Sequence, residues 1–296
     1  MTRRMLRLNP RARDLQTAWP QLAFAAFVGI LLFTRFAGPL RALYPVAAVM
    51  VGWRLQRLSV PSYVSFVLWL WFLTPLVRRI ADMYAGFQEP SYVLLAPYLV
   101  TGLSAVRIFE QTVMLRRPPV RLAGAAMFGI AALGAAVGIP FGLTRAPTRA
   151  FAEILNWFVP LAFGWYLAMR YDQLHEIERR VFVTFSRAGL VVGAYGIYQY
   201  AQLPLWDIGW MQAVEMTSVG YPEPFLVRVF STMHSPGVLG YFLALVLNDQ
   251  EKYEEAEKIL EAALKAKGLF VYRADAEKLL EQVKAKKAAK PKPKAN

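Results

Sequence analysis

The chain reads as an all-α protein, a polytopic transmembrane helical bundle of about seven to eight spans followed by a short soluble helical tail. Three observations predict this. Of its 296 residues 56% are hydrophobic, eight are Trp, and its apolar residues gather into long runs even though the chain carries a net charge of +14. A bilayer core asks for ~17–25 residues per helix, and lipid offers backbone N–H and C=O groups no water, so a helix that satisfies them internally is the expected form of each run. The polar–apolar alternation of a barrel strand is missing.

Seven candidate spans follow in order, near 19–33, 40–54, 61–77, 91–106, 121–143, 151–169 and 181–203. The first four are short or interrupted. Met1 to Arg13 is basic and is followed by Ala23–Ala26 and Ile30–Leu32, the layout of a secretory signal peptide. The run closes at Thr34-Arg35-Phe36 without a small-residue cleavage pattern, so a retained first helix is expected. In the fifth run Gly124, Gly129, Gly134 and Gly138 read as close-packing positions. A transporter would show an internal repeat and broken helices with polar groups at mid-membrane, and no repeat is found.

Arginine placement orients the runs. Arg3, Arg4, Arg7, Arg11 and Arg13 precede the first, and Arg107, Arg116, Arg117 and Arg121 follow the fourth. Both groups belong inside if the N-terminus is cytoplasmic, as do Arg54, Arg57, Arg170, Arg179 and Arg180. The outer loops keep Arg35/Arg41, Arg78/Arg79 and Arg145/Arg149. Seven spans from a cytoplasmic start leave about 203–235 outside, in the periplasm of a Gram-negative cell, and make the chain a multi-pass protein of a bacterial inner membrane.

No cysteine is present and the histidines are His175 and His234, which excludes disulfides, thiolate sites and a multi-histidine metal centre. No cofactor and no nucleic-acid partner are expected. Chemistry here must run on Arg, carboxylates, hydroxyls and an imidazole or two.

Residues 1–250 contain no lysine, whereas every lysine lies between Lys252 and Lys294. Two differently composed sequences meet near Asn248, so the organisation expected is 1–240 as the membrane part, 241–288 as a helical segment and 289–296 as a disordered basic tail, the Lys/Ala/Pro-rich stretch from Lys284 shading into it. Tyr253, Ala256, Ile259, Leu260, Ala263 and Leu264 fall at three- and four-residue spacings among Glu and Lys, an amphipathic helix. Asn248-Asp249 offers its N-cap and Gly268 its stop. Ala274 to Lys287 predicts one further helix. Leu243-Ala244-Leu245 with Tyr253-Glu254-Glu255-Ala256 and Ala263-Leu264 resembles a single tetratricopeptide repeat, although Gly240 and Glu251 replace the usual aromatic and turn glycine. A lone repeat cannot bury its own apolar face.

The segment Arg228-Val-Phe-Ser-Thr-Met-His-Ser-Pro-Gly-Val-Leu-Gly joins a cation, hydroxyls, an imidazole and a Pro-Gly break just after the seventh run. Arginine presents a permanently charged planar fork suited to phosphate oxygens, so the segment predicts an anion site at the membrane surface. Together with Gly193-Ala194-Tyr195-Gly196-Ile197-Tyr198-Gln199-Tyr200 and Phe151-Ala152-Glu153-Ile154-Leu155-Asn156-Trp157, it is similar to the O-antigen ligase and polymerase superfamily of integral-membrane glycosyltransferases. The resemblance covers roughly 15–245. It implies transfer of a glycan from an undecaprenyl-diphosphate carrier to lipid A core or a growing polysaccharide, at the periplasmic face and without a metal, with Arg228 on the carrier diphosphate. In that family the motif opens a second half with further spans and a large periplasmic loop supplying more arginines and a histidine. Here the apolar stretch after the motif, Val238 to Leu247, is ten residues long, so the resemblance also implies a shortened catalytic apparatus.

Each candidate also carries a plainer reading, and for Arg228 it is a loop anchor at the lipid headgroups, where arginines snorkel. His234 is a candidate base, or a solvated histidine. Arg145 and Arg149 are candidate diphosphate contacts, or solvated loop cations. Glu153 belongs to an acceptor pocket, or pairs with Arg149 at helical spacing. Arg187 lies inside the seventh run and snorkels to the surface. Asp207 and Glu215 flank Trp206 and Trp210 in an interfacial segment and lack the spacing of a glycosidase pair. Besides the carrier-linked glycan and membrane lipid, a protein partner for the C-terminal helices is the role left to a chimeric chain without turnover.

Overall fold

The computed structural model describes residues 10–112, 118–145, 147–214, 219–233, 236–249, 252–265 and 273–289. Among them the fold is all helical: α1 (Pro10–Phe33), α2 (Ala37–Leu58), α3 (Val60–Ala85), α4 (Leu95–Thr112), α5 (Pro118–Arg145), α6 (Pro147–Met169), α7 (Leu174–Gln202), α8 (Leu205–Val214), α9 (Pro236–Asp249), α10 (Tyr253–Lys265) and α11 (Arg273–Ala289). A helix covers each of the seven apolar runs. Among the described residues five segments are long and apolar enough to cross a membrane: Gln16–Phe33, Val60–Ala85, Tyr92–Phe109, Ala150–Met169 and Tyr171–Gln202.

The helices run further than the hydropathy does. Helix α3 continues to Ala85, so Arg78 and Arg79, expected in an outer loop, lie on the helix. Hydropathy marks where side chains turn polar, whereas a helix stops where backbone bonding changes. Between α1 and α2 it changes at Arg35, which adopts φ 58° while Phe36 N–H donates to Leu31 O at 2.9 Å, a left-handed C-cap. Between α2 and α3 one residue suffices. Ser59 N–H donates to Leu55 O at 2.8 Å, and its own hydroxyl accepts from Ser62 N–H at 3.4 Å, closing one helix and capping the next.

Two compact units divide the chain, with boundaries inside α3 and α7. The first holds residues 1–70 and 88–181. In it α2 packs on α4, α4 and α5 on α6, and α1 on α2. Phe24 meets Tyr44 and Phe66, each at 5.4 Å, and Tyr63 meets Tyr166 at 6.0 Å while donating to Val100 O at 2.7 Å. Of the four glycines expected to pack closely in α5, Gly124 does so: a Cβ there would stand 2.1 Å from the Trp165 ring. Gly129, Gly134 and Gly138 face open space.

The second unit holds residues 71–87 and 182–296. Phe72, Phe185 and Phe242 cluster from α3, α7 and α9, with centroids 4.7 to 5.6 Å apart, Phe185 stacked on Phe242 and Phe72 edge-on to Phe185. The opposite side of α9 enters a cluster made by Ala244, Ala256, Leu260, Ala276, Leu279 and Val283, so protein covers α9 on both sides. Helices α9 and α10 run antiparallel, a Cβ on Gly240 lying 2.9 Å from Ala263. The N-cap expected at Asn248-Asp249 is corrected: both residues end α9, and Lys252 N–H donates to Leu247 O at 2.9 Å ahead of α10. The basic tail expected from Lys284 is also corrected, because α11 continues to Ala289 with Lys284 3.1 Å from Glu261 and Lys287 2.9 Å from Glu257. Gly268 and residues 290–296 lie outside the described residues.

Candidate functional site

The arginine motif belongs to the second unit, and the structure shows what holds it. Three elements contribute. Helix α3 brings Arg79 near its C-terminal end, α7 brings Val192, Tyr195, Gly196 and Gln199 on one face, and α8 brings Asp207 in its first turn, where the helix dipole favours a carboxylate.

Among the described residues Arg79 is the largest fully buried side chain. Its Nε stands 2.7 Å from Asp207 Oδ1, with the side chains 1% and 0% exposed. The contact is an ion pair rather than an aligned hydrogen bond. The rest of the guanidinium serves the motif: Nη1 donates to Met233 O at 2.7 Å and Nη2 donates to Ser231 O. Its faces meet Phe230 at 4.9 Å and Trp210 at 5.7 Å. Asp207 Oδ2 accepts from Gln199 Nε2 at 2.6 Å and from Tyr195 OH at 2.8 Å, and that hydroxyl accepts from Trp206 Nε1 at 2.6 Å.

Gln199 completes the frame. Its Oε1 accepts from the backbone N–H of Phe230 at 3.0 Å and of Ser231 at 2.8 Å. Ser231 adopts φ 51°, and its hydroxyl donates to Val192 O at 2.5 Å. A left-handed serine costs about 1–3 kcal/mol and persists where its surroundings over-determine it. Here Arg79, Gln199 and Val192 all grip that one residue. Gly196 admits the loop, since a Cβ there would already touch Val229 at 3.0 Å.

Arg228 behaves in the opposite way. Its backbone N–H donates to Val219 O at 2.8 Å, whereas its side chain is exposed and has no ion pair or side-chain hydrogen bond among the described residues. The motif therefore has one arginine facing outward and a different arginine, from α3, fastened beneath it.

Other sequence candidates fall elsewhere. His234 and Glu215 lie outside the described residues. Arg145 ends α5 and Arg149 lies in the first turn of α6, their side chains outside the described residues; Glu153 is exposed on α6. These three belong to the first unit and Arg228 to the second. Arg187 is exposed on α7. Asp207, read as an interfacial carboxylate, is corrected to a buried ion-pair partner, because α8 folds its first turn inward onto Arg79. The sequence did carry one signal for this site: Tyr195 and Gln199 stand four apart in an apolar helix, hence on one face. No family model matches the chain, and no curated protein or solved structure matches it either.

Proposed function

We propose that the chain is a multi-pass inner-membrane protein of glycan-transferring type, crossing seven times from a cytoplasmic N-terminus, with Arg228 binding the diphosphate of an undecaprenyl-linked glycan on the periplasmic side. The observation that carries this reading is the exposed Arg228 guanidinium, unpaired among the described residues, on a loop whose backbone is pinned by Arg79 and Gln199. Glycosyl transfer from a diphosphate carrier leaves negative charge on the departing phosphate. A cation held ready in a fixed place stabilises that charge without reorganising as it develops. Arg79 is unsuited to the role, because its donors already go to Asp207, Ser231 and Met233. His234 as the base that activates the acceptor, Arg145, Arg149 and Glu153 as further substrate contacts, and α9–α10 as a tetratricopeptide-like hairpin complete the reading from the sequence.

The test is turnover of an undecaprenyl-diphosphate oligosaccharide by the protein in nanodiscs with candidate acceptors, read as acceptor mass or glycan length. Product is expected from the parent chain, and not from Arg228→Ala. Arg228→Lys should recover part of it, since an ammonium keeps the charge without the fork. A second reading, carrier-lipid or protein binding without turnover, is favoured by the abrupt start of lysine at Lys252. Carrier binding that depends on Arg228 with no product from any acceptor would select it.

A further inference from the structure

Apolar side chains exposed on the span-length helices have lipid to explain them. Those at 221–226 do not, because this segment belongs to no such helix. It is the tip of a small ribbon. Gly220 and Val227 form an antiparallel bridge, Arg228 N–H donates to Val219 O at 2.8 Å, and Leu226 N–H donates to Glu223 O at 3.2 Å. Gly220 has φ 81°, and a Cβ there would lie 2.7 Å from Leu226 O, so the close approach of the two arms requires glycine.

The two faces of the ribbon differ. Inward, Val219 and Val227 join a core with Leu203, Trp210, Met211 and Phe230. Outward, Tyr221 is 72% exposed, Phe225 63% and Leu226 56%, and alternation along the arm places Leu226 and Arg228 together, opposite Val227. The tip is fixed from behind: Phe225 N–H donates to Tyr200 O at 2.9 Å, and the two rings meet edge-on at 5.4 Å. Three large apolar side chains are thus held outward beside an exposed guanidinium.

We propose that this outward face docks on the phospholipid leaflet at its end of the second unit, with Arg228 on lipid phosphate and Tyr221, Phe225 and Leu226 among the first carbons of the acyl chains. Charge complementarity selects a phosphate-bearing surface. Tyrosine suits the boundary, where its ring is apolar and its hydroxyl wet. Glu223, exposed at the tip between Pro222 and Pro224, fixes the depth, because a carboxylate is costly below the headgroups. The proposal shares Arg228 with the transfer reading but does not require transfer.

The chain has no cysteine, so Phe225→Cys and Leu226→Cys each carry one environment-sensitive label cleanly. Ile197→Cys, exposed on α7, serves as the lipid reference, and Glu255→Cys, exposed on α10, as the water reference. In nanodiscs of phosphatidylcholine and phosphatidylglycerol with brominated tails, labels at 225 and 226 should be quenched toward the level at 197, and the label at 255 should not. In the unsubstituted protein, amide exchange at Tyr221 and Leu226 should slow about tenfold from detergent to nanodisc. Labels at 225 and 226 that follow 255, with unchanged amide exchange, would overturn the proposal. So would quenching that appears only after a polyprenyl diphosphate is added, which would give the face to the carrier, or protection only with a second protein present. Turnover is read on the same discs. Quenching without product keeps the docking and removes transfer; product without quenching does the reverse.

Discussion

Arg79 of α3 and Asp207 of α8 form an ion pair at 2.7 Å with both side chains withdrawn from solvent. Neither touches the outside, yet between them and Gln199 they fix the backbone of Phe230, Ser231 and Met233. The exposed cation of the motif is placed by a buried one.

Removing one member of that pair should be costly, because the other remains as an uncompensated buried charge. Asp207→Asn is expected to lower unfolding free energy by about 3–5 kcal/mol. The double change Arg79→Met with Asp207→Leu should cost less than the sum of the single changes, since it leaves no unpaired charge. Equilibrium unfolding in mixed micelles measures both, and a neutral Asp207→Asn would show that the pair does not hold the fold.

Gln199 separates the loop from the helix that carries it. Gln199→Leu strands two buried N–H groups, each worth about 1–3 kcal/mol, so amides of Phe230 and Ser231 should exchange faster while those of α10 do not change. Gln199→Glu keeps the acceptor for both amides but sets a second carboxylate beside Asp207. Those two amides should then stay protected even though the whole protein is less stable. Uniform loss of protection across the unit in both variants would contradict this.

Arg228→Ala should leave stability within about 0.5 kcal/mol, because the side chain is exposed and away from the network, while carrier binding disappears. Arg79→Lys should lower stability and weaken carrier binding with it, because Arg79 fixes the loop that places Arg228. An ammonium can stay beside Asp207 but cannot span two carbonyls, so the loop loosens first. Thermal unfolding and carrier titration on the same preparations distinguish the two arginines.

Gly124 and Gly129 stand on one helix in unlike surroundings. Gly124→Ala drives a methyl into the Trp165 ring and should cost about 1–3 kcal/mol. Gly129→Ala meets nothing within 4 Å and should be neutral, or stabilising by up to about 1 kcal/mol through helix propensity. The difference between their unfolding midpoints is the measurement.

The α10–α11 pairing should respond to acid and to salt. The hydrogen bond from Lys287 holds the Glu257 carboxyl below its ordinary range, and the same bond raises Lys287 above its own. A lowered carboxyl contributes stability above about pH 4.3 and loses it as pH falls through the folded value. A raised lysine contributes below about pH 10.4 and loses it as pH rises through its folded value. Amide protection in α10 should therefore be level across the neutral range and fall at both extremes. Both groups lie at the surface, so added salt should weaken both arms, and Glu257→Gln should remove the acid arm and most of the alkaline one, since one bond is the main cause of both shifts. A steep change near pH 7 would require other groups.

The sequence alone determined that the chain is helical and apolar, because backbone bonding in lipid leaves few forms and the runs are long enough to announce themselves. It determined where seven of those helices lie, though not their ends, which run up to nine residues past the apolar runs, and the amphipathic spacing from Tyr253 to Leu264 determined α10. It also marked the Arg228 segment, since a cation among hydroxyls and a Pro-Gly break stands out against apolar surroundings. Only the tertiary structure decided that Arg79, a loop cation by hydropathy, is buried on α3, or that Asp207 is its counter-ion. Hydropathy averages over neighbours in sequence, whereas a buried charge is stabilised by partners that arrive from α7, α8 and the 228–233 loop. The same holds for α9, whose ten-residue apolar stretch Val238 to Leu247 is covered by protein on both sides. Whether an apolar face meets lipid or protein depends on what the rest of the chain folds against it.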